Sequence, residues 1–146
     1  MGSLINVVKV DENRRAVVDD CVKLIDAEVQ DKKGLSGKFV RGAFKTVKSF
    51  KPGIIPMSMD ALLDDFAEKV DPHWQNCQSG NQPARAYFEQ HRAEISSLLL
   101  EITDERAEKS KHRVLVKAYK SLRGKATEHI GQAMPRLADL MVKHAS

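Results

Sequence analysis

Apolar side chains recur every three to four residues along almost the whole chain, and this period constrains the fold more than any other feature. Near the start, Val18, Cys21, Val22, Ile25 and Val29 would share one face of a helix. A helix with one apolar stripe must bury that stripe against another element. The period therefore predicts an all-α fold, a compact bundle of five to seven helices without a sheet.

Composition agrees with this interpretation. The chain has 146 residues, of which 42% are hydrophobic, 30% charged and only 5% aromatic. A β-sandwich would contain more β-branched and aromatic residues. The length suits one domain with its own core, so residues 1–146 are predicted to form a single helical domain.

Capping residues and helix breakers set the expected helix boundaries. The segment 4–10 is expected to form either a helical turn or an extended lead-in. A long helix is predicted from about residue 83 to 109, and Gly124 is expected to weaken or bend the helix around 114–122. Expected N-caps are Asp11, Ser36 and Ser58, expected stops are Gly34, Pro52–Gly53 and Asp71–Pro72, and Pro83 and Pro135 suit first turns.

The chain also contains a candidate internal repeat. When the sequence is shifted by 75 residues, the segment 43–48 falls on 118–123, with Phe44 on Tyr119. Two similar halves, about 11–71 and 83–146, would then form a pseudo-twofold bundle. The alternative is that amphipathic helices resemble each other by composition alone.

Basic residues are concentrated in two stretches, 38–51 and 109–127, which contain no acidic residue. In each stretch, a spacing of three and four residues places the basic side chains in a stripe along one face of a helix. Solvated faces beside acidic helices are one interpretation, and an anion-binding surface is the other. The candidate binding residues are Lys38, Arg41, Lys45, Lys48, Arg113, Lys117, Lys120 and Arg123.

These stripes favour a non-enzymatic binding or interaction protein whose partner is an acidic protein or a phosphate-bearing ligand. Nucleic acid is a less favoured partner, because the sequence lacks zinc-finger spacing and a heptad zipper behind a basic region. The aromatic residues near the stripes are expected to face the core rather than to stack on bases.

The segment around His73, Trp74 and Cys77 is the alternative site, a pocket for a small ligand or an enzyme reaction. If a helix continued past Pro72, His73 and Cys77 would stand one turn apart and could offer two metal ligands. Two ligands do not make a site, so neither a metal nor a cofactor is predicted. His91 and Glu94 reverse the order of the Glu-x-x-His motif of di-iron bundles, and no catalytic motif is recognisable.

The connection 53–59 is apolar for a loop. Its residues Ile54, Ile55 and Met57 are expected either to plug the bundle or to form an interaction patch, through which the protein would form a homodimer.

No segment resembles a membrane span or a secretion signal, so a cytoplasmic location without membrane partners is expected. The two cysteines do not indicate a disulfide framework.

Several short motifs together resemble a family of small all-helical bacterial proteins of unknown function. They are Leu35-Ser36-Gly37, then 43–48, then 51–55, and finally Leu62-Leu63-Asp64-Asp65-Phe66. The resemblance extends over most of the chain. It implies a helical fold and a bacterial source, and it implies no activity, cofactor or catalytic residue.

Overall fold

A computed structural model describes residues 3–145 of the chain, and within them the protein has helices and no strands. The all-α class is confirmed. The nine helices of this part are α1 (Leu4–Lys9), α2 (Asp11–Asp31), α3 (Gly34–Phe50), α4 (Ile54–Ser79), α5 (Ala84–Gln90), α6 (Arg92–Lys109), α7 (Arg113–Arg123), α8 (Ala126–Gln132) and α9 (Met134–Ala145). None of them is long and apolar enough to cross a bilayer.

The number of helices exceeds the predicted five to seven, because predicted elements are subdivided. His91 has φ −106° and ψ 18°, outside helical values, so the helix predicted from 83 to 109 is interrupted between α5 and α6. Gly124 and Lys125 form a turn that separates α7 from α8. The segment 4–9 is a helix of its own. The Ser3 hydroxyl caps it by accepting a hydrogen bond from the backbone N–H of Asn6.

Helix α4 continues through Pro72, so the predicted end at Asp71–Pro72 is wrong. Proline cannot donate to the carbonyl four residues earlier, which costs one helical hydrogen bond. Pro72 is exposed, so water can satisfy that carbonyl, whereas Trp74 and Cys77 beyond it are completely buried. Packing of the later turns therefore outweighs the local cost of the proline.

Two predicted N-caps are also wrong, because glycine conformations start these helices earlier. Gly53 adopts φ 76°, a left-handed value that glycine tolerates, and α4 begins at Ile54 rather than after Ser58. Helix α3 begins at Gly34, so Ser36 is not its cap. The Ser36 hydroxyl instead lies 3.3 Å from Nε2 of His129. Asp11 is the first residue of α2, whose cap position is Val10.

The joint between α2 and α3 depends on a close backbone approach at Gly37. This glycine is buried, and a Cβ at its position would lie 2.3 Å from the carbonyl oxygen of Lys32. Only glycine fits there without displacement of the backbone. The Arg41 guanidinium also donates to that carbonyl, at 2.7 Å.

One region of the molecule has a dense core, formed by α1, the second half of α4, α5, the start of α6, and α9. Helix α5 packs on α9, and α1 packs on α4. We call this region the packed half. Its largest completely buried side chains are Trp74, Cys77, Phe88, Ile95, Ser96 and Met134.

Candidate functional site

An interior cavity of about 420 Å³ is the most prominent candidate site. It extends between the second half of α2, α3, the first half of α4, the middle of α6, α7 and α8, a region that we call the hollow half, and it reaches α1 and α9 at its other end. Every lining residue is buried or half-buried. Apolar side chains such as Leu24, Ile25, Phe44, Leu99 and Leu122 supply nearly all of the wall.

Amphipathic helices create this cavity because their apolar faces point inward without meeting. In the packed half, facing side chains interdigitate. In the hollow half, Leu24 and Ile25 of α2, Phe44 of α3 and Leu122 of α7 remain half-buried although they lie on inward faces. The wall can therefore hold an apolar molecule, whereas a charged one would lose its hydration without compensation.

The few polar groups of the wall lie mainly at the end formed by α7, α8 and the end of α2. The Lys32 ammonium lies 3.2 Å from the Glu28 carboxylate and 2.8 Å from the Gln132 amide oxygen, and it donates to the His129 carbonyl at 3.4 Å. Arg136 pairs with both Glu28 and Asp31. Two cations thus face two carboxylates, so this end of the cavity offers no free charge.

A second polar group at this end joins α6 to α7. The Arg123 guanidinium binds the Asp104 carboxylate through two hydrogen bonds of 2.9 and 3.1 Å. Arg123, with a further hydrogen bond from the Tyr119 hydroxyl, holds the pKa of Asp104 below its usual value. Thr103 lies 2.7 Å from the same hydroxyl. Hence these polar atoms are also satisfied by neighbours.

One polar atom beside the cavity differs from the others. Nδ1 of His129, a lining residue, is buried, and residues 3–145 offer it no hydrogen-bond partner. A buried ring nitrogen in this state costs free energy unless a ligand or water pairs with it.

Cys21 lines the cavity on the α2 side. Burial, with a smaller contribution from Asp20, raises the pKa of its thiol to about 11. The thiol is therefore protonated at neutral pH and acts as a small apolar group rather than as a nucleophile.

The predicted basic residues lie on two helices that pack together, α3 and α7. Five of them are exposed and form no ion pair within the described residues, namely Lys38, Lys45, Arg113, Lys117 and Lys120. The other three are engaged: Lys48 pairs with Asp26 at 3.0 Å, Arg123 with Asp104, and Arg41 with a carbonyl. A shallow depression of about 590 Å³ on α7 is lined by Arg113, Lys117 and Lys120.

The predicted interaction patch is not a loop, because Ile54, Ile55 and Met57 form the first turn of α4. Ile54 and Ile55 are half-buried, whereas Met57 is 52% exposed.

The residues of the other predicted pocket belong to the packed half. Trp74 and Cys77 have no exposed surface and line neither of the two cavities described above, and the Cys77 thiol donates to the Gln82 carbonyl at 3.4 Å. His73 points elsewhere, and its Nδ1 lies 2.9 Å from the Tyr87 hydroxyl. Burial lowers the pKa of His73, an effect that the Glu94 carboxylate opposes and His91 adds to.

Sequence reasoning missed the cavity and the proximity of His73 to His91 and Glu94. Helical periodicity identifies inward-facing positions, but it carries no signal for whether opposite faces make contact. His73 reaches the other two residues only because α4 continues past Pro72, which the proline argued against.

Comparison with known proteins identifies a family to which the chain belongs. The model of a family of unknown function (DUF6918) matches residues 4–145. No curated protein and no solved structure matches the chain.

Proposed function

The chain belongs to this family of unknown function, and we propose from its geometry that it binds a single-chain apolar molecule in the interior cavity. An acyl or polyprenyl chain is an example of such a ligand. The observation that carries the proposal is the nearly all-apolar wall around about 420 Å³, which only buried and half-buried residues form. Small-molecule sites in proteins have volumes of roughly 300–1,000 Å³ and mostly apolar walls.

The shape of the cavity favours a chain over a compact ring system. Along α2 the lining runs from Val17 to just beyond the helix end at Lys32, a rise of about 22 Å at 1.5 Å per residue. An extended chain can contact a wall of this length, whereas a compact ring system would cover only part of it.

Energetics support an apolar occupant. Nearly all of the wall is apolar, so an apolar ligand that covers it removes this surface from water and gains about 25 cal/mol per Å² of apolar area buried.

The head group of this ligand would lie at the end formed by α7 and α8. The charged groups there already pair with one another, so they do not call for a charged partner. His129 Nδ1 is the buried atom that a ligand can satisfy. We therefore assign a small head group with one hydrogen-bonding atom, a hydroxyl or a protonated carboxyl, next to His129.

Displacement of a fluorescent dansyl-labelled fatty acid tests the proposal. Unlabelled fatty acids and alcohols of increasing length should compete, with Kd falling about fourfold per methylene group until the cavity is full, because each buried methylene contributes about 0.8 kcal/mol. If affinity does not depend on chain length, or if no chain competes, the protein does not bind this class of ligand.

A blocking variant locates the site. Ala126→Phe places a ring in the cavity wall and should abolish binding, whereas Ala16→Phe adds the same ring to the exposed face of α2 and should leave binding unchanged. Ala133→Leu serves as a second, smaller block in case Ala126→Phe does not fold. Equal affinity of folded blocking and control variants would place the ligand elsewhere.

A second candidate function is the binding of an acidic protein to the surface of α3 and α7. It is supported by the contact between these helices and by the five exposed basic side chains that lack ion pairs in the described part of the chain. Lys45→Glu combined with Lys120→Glu should abolish binding of a fluorescent poly-glutamate peptide. Lys45→Arg with Lys120→Arg keeps the charge and should preserve binding, with a steep loss of affinity as salt rises. Unchanged binding by the glutamate pair would exclude this surface.

Homodimer formation through Ile54, Ile55 and Met57 remains a prediction, supported by the exposure of Met57. Met57→Lys should halve the mass measured by light scattering if this patch joins two copies, and a monomeric parent protein would exclude the dimer.

The internal repeat also remains a prediction, as do the cytoplasmic location and the bacterial source. The pairing of contacts supports the repeat: α2 packs on α3 as α6 packs on α7, and α2 packs on α4 as α6 packs on α8. Superposition of 11–71 on 83–146 with matched helix order is the expected result, and a different order would exclude the repeat.

A further inference from the structure

Three side chains with metal-ligating atoms converge where the second half of α4 meets the junction of α5 and α6. They are His73 of α4, His91 at the junction and Glu94 in the first turn of α6. Their ligating atoms all lie within 4.8 Å of one another. Nε2 of His73 and Nδ1 of His91 are each 3.7 Å from the same carboxylate oxygen of Glu94.

These distances are too long for hydrogen bonds, which join nitrogen and oxygen at about 2.7–3.2 Å. The three atoms therefore lie close together without hydrogen-bonding one another. Even at the 4.8 Å limit for the third separation, one point lies about 2.4 Å from all three atoms, and zinc binds imidazole nitrogen and carboxylate oxygen at about 2.0–2.2 Å. A contraction of a few tenths of an ångström completes the coordination.

The surroundings hold the two imidazoles in place. Tyr87 Oη lies 2.9 Å from Nδ1 of His73, so when Nδ1 carries the proton and donates to this oxygen, Nε2 presents its lone pair towards Glu94. The Tyr87 ring also packs against His91, with centroids 4.1 Å apart. A fixed tautomer and ring orientation are what a metal-binding histidine requires.

Exposure is graded across the three groups. The side chain of His73 is 10% exposed, that of His91 32% and that of Glu94 65%. One side of the cluster is thus closed by protein and the other is open to water. An ion can enter from the solvent side, and the exposed carboxylate is free to adjust.

We propose that His73, His91 and Glu94 bind a divalent transition-metal ion of the zinc class, with water in the open coordination position. Two imidazoles and one carboxylate suit zinc, whereas calcium and magnesium prefer oxygen ligands alone. Three protein ligands and one open position are typical of catalytic rather than structural zinc sites. This proposal does not depend on the cavity, since none of the three residues lines it.

Calorimetric titration of the chelator-treated full chain with Zn²⁺ tests the proposal. One ion per chain should bind, and Co²⁺ should give the visible absorption of a four- or five-coordinate ion, while excess Mg²⁺ should not compete. Less than one ion per chain at micromolar concentrations would overturn it.

Matched variants separate this cluster from other surface groups. His91→Ala and Glu94→Gln should each weaken Zn²⁺ binding at least tenfold, and neither residue is fully buried, so the fold should persist. His112→Ala and Glu89→Gln change exposed residues outside the cluster and should leave the affinity unchanged. Equal losses in cluster and control variants would show that zinc binds elsewhere.

Tyr87→Phe tests the positioning role of the hydroxyl. Removal of a hydrogen-bond partner to a ligating histidine weakens metal binding about 10- to 100-fold. We expect weaker Zn²⁺ binding with unchanged stoichiometry and an altered Co²⁺ spectrum. An unchanged affinity would mean that the hydroxyl has only a structural role and that the geometry proposed for His73 is incorrect.

Discussion

The packed half and the hollow half are built from the same kind of amphipathic helix, yet their interiors differ. In the packed half, Trp74, Phe88 and Ile95 have no exposed surface and do not line the cavity. In the hollow half, Phe44 and Leu122 also occupy inward faces but border a cavity. The difference shows that an apolar helical face predicts burial and leaves open whether another side chain or a ligand fills the space opposite.

The largest difference between the halves should appear on removal of a phenylalanine. Phe88→Ala in the packed half should lower the free energy of unfolding by about 3–5 kcal/mol, because a rigid core cannot close the hole. Phe44→Ala should cost less than half as much, because its ring already borders open space. Urea unfolding measures both, and equal losses would contradict the distinction between the halves.

Replacement of an alanine by leucine should lower the free energy of unfolding in the packed half and raise it in the cavity wall. Ala138 in α9 has no exposed surface, so Ala138→Leu overpacks the core and should cost about 1–3 kcal/mol. Ala133 lines the cavity, and Ala133→Leu should instead stabilise the ligand-free protein by about 1 kcal/mol, because the leucine fills open space. Thermal unfolding of delipidated protein is the measurement. A loss of stability in both variants would mean that the cavity closes in solution.

Two glycines of α3 test how tightly the wall of the hollow half is attached. Gly37→Ala should cost about 1–2 kcal/mol, because the new Cβ would meet the Lys32 carbonyl oxygen at 2.3 Å. Gly42 has no atom within 4 Å of such a Cβ, and Gly42→Ala should stabilise the helix by about 0.5–1 kcal/mol. If chemical denaturation found the same sign for both, the approach of α3 to α2 would be looser than described.

The smallest expected effect is the pH dependence of the stability that the ion pair between Asp104 of α6 and Arg123 of α7 contributes. The pKa of Asp104 is lowered in the folded protein, so its contribution is present above the unfolded value of 3.8 and is lost as the pH falls through the lower folded value. Asp104→Asn should therefore cost about 0.5–1 kcal/mol at pH 7, since the side chain is 40% exposed, and almost nothing near pH 2. Asp19→Asn, at an exposed position without an ion pair in the described residues, is the control and should show no such pH-dependent loss.

Sequence periodicity was sufficient for the fold class because it reports which side of each helix is apolar. Val18, Val29, Ile95 and Ile102 are all buried, as their spacing indicates. Helix boundaries were less accurate where tertiary packing overrides a local preference. The clearest example is Pro72, which α4 passes because Trp74 and Cys77 are buried beyond it.

The candidate sites could be predicted only in part. The basic residues of α3 and α7 were selected from their spacing; six of the eight are exposed, and five of these form no ion pair within the described residues, but their role in binding stays a prediction. His91 and Glu94 were recognised as neighbours on a helix, but His73 is distant in sequence and joins them through the fold. The cavity depends on distances between helix axes, which no local pattern encodes.

Helix α4 belongs to both halves, and Pro72 marks the point where one gives way to the other. Leu63, Phe66 and Val70 before it line the cavity, and His73 and Trp74 follow it. Since proline removes a rung from the hydrogen-bond ladder, α4 bends more easily there than elsewhere. We therefore expect a ligand in the cavity to shift the part of α4 before Pro72 more than the part after it, which the burial of Trp74 and Cys77 holds in place.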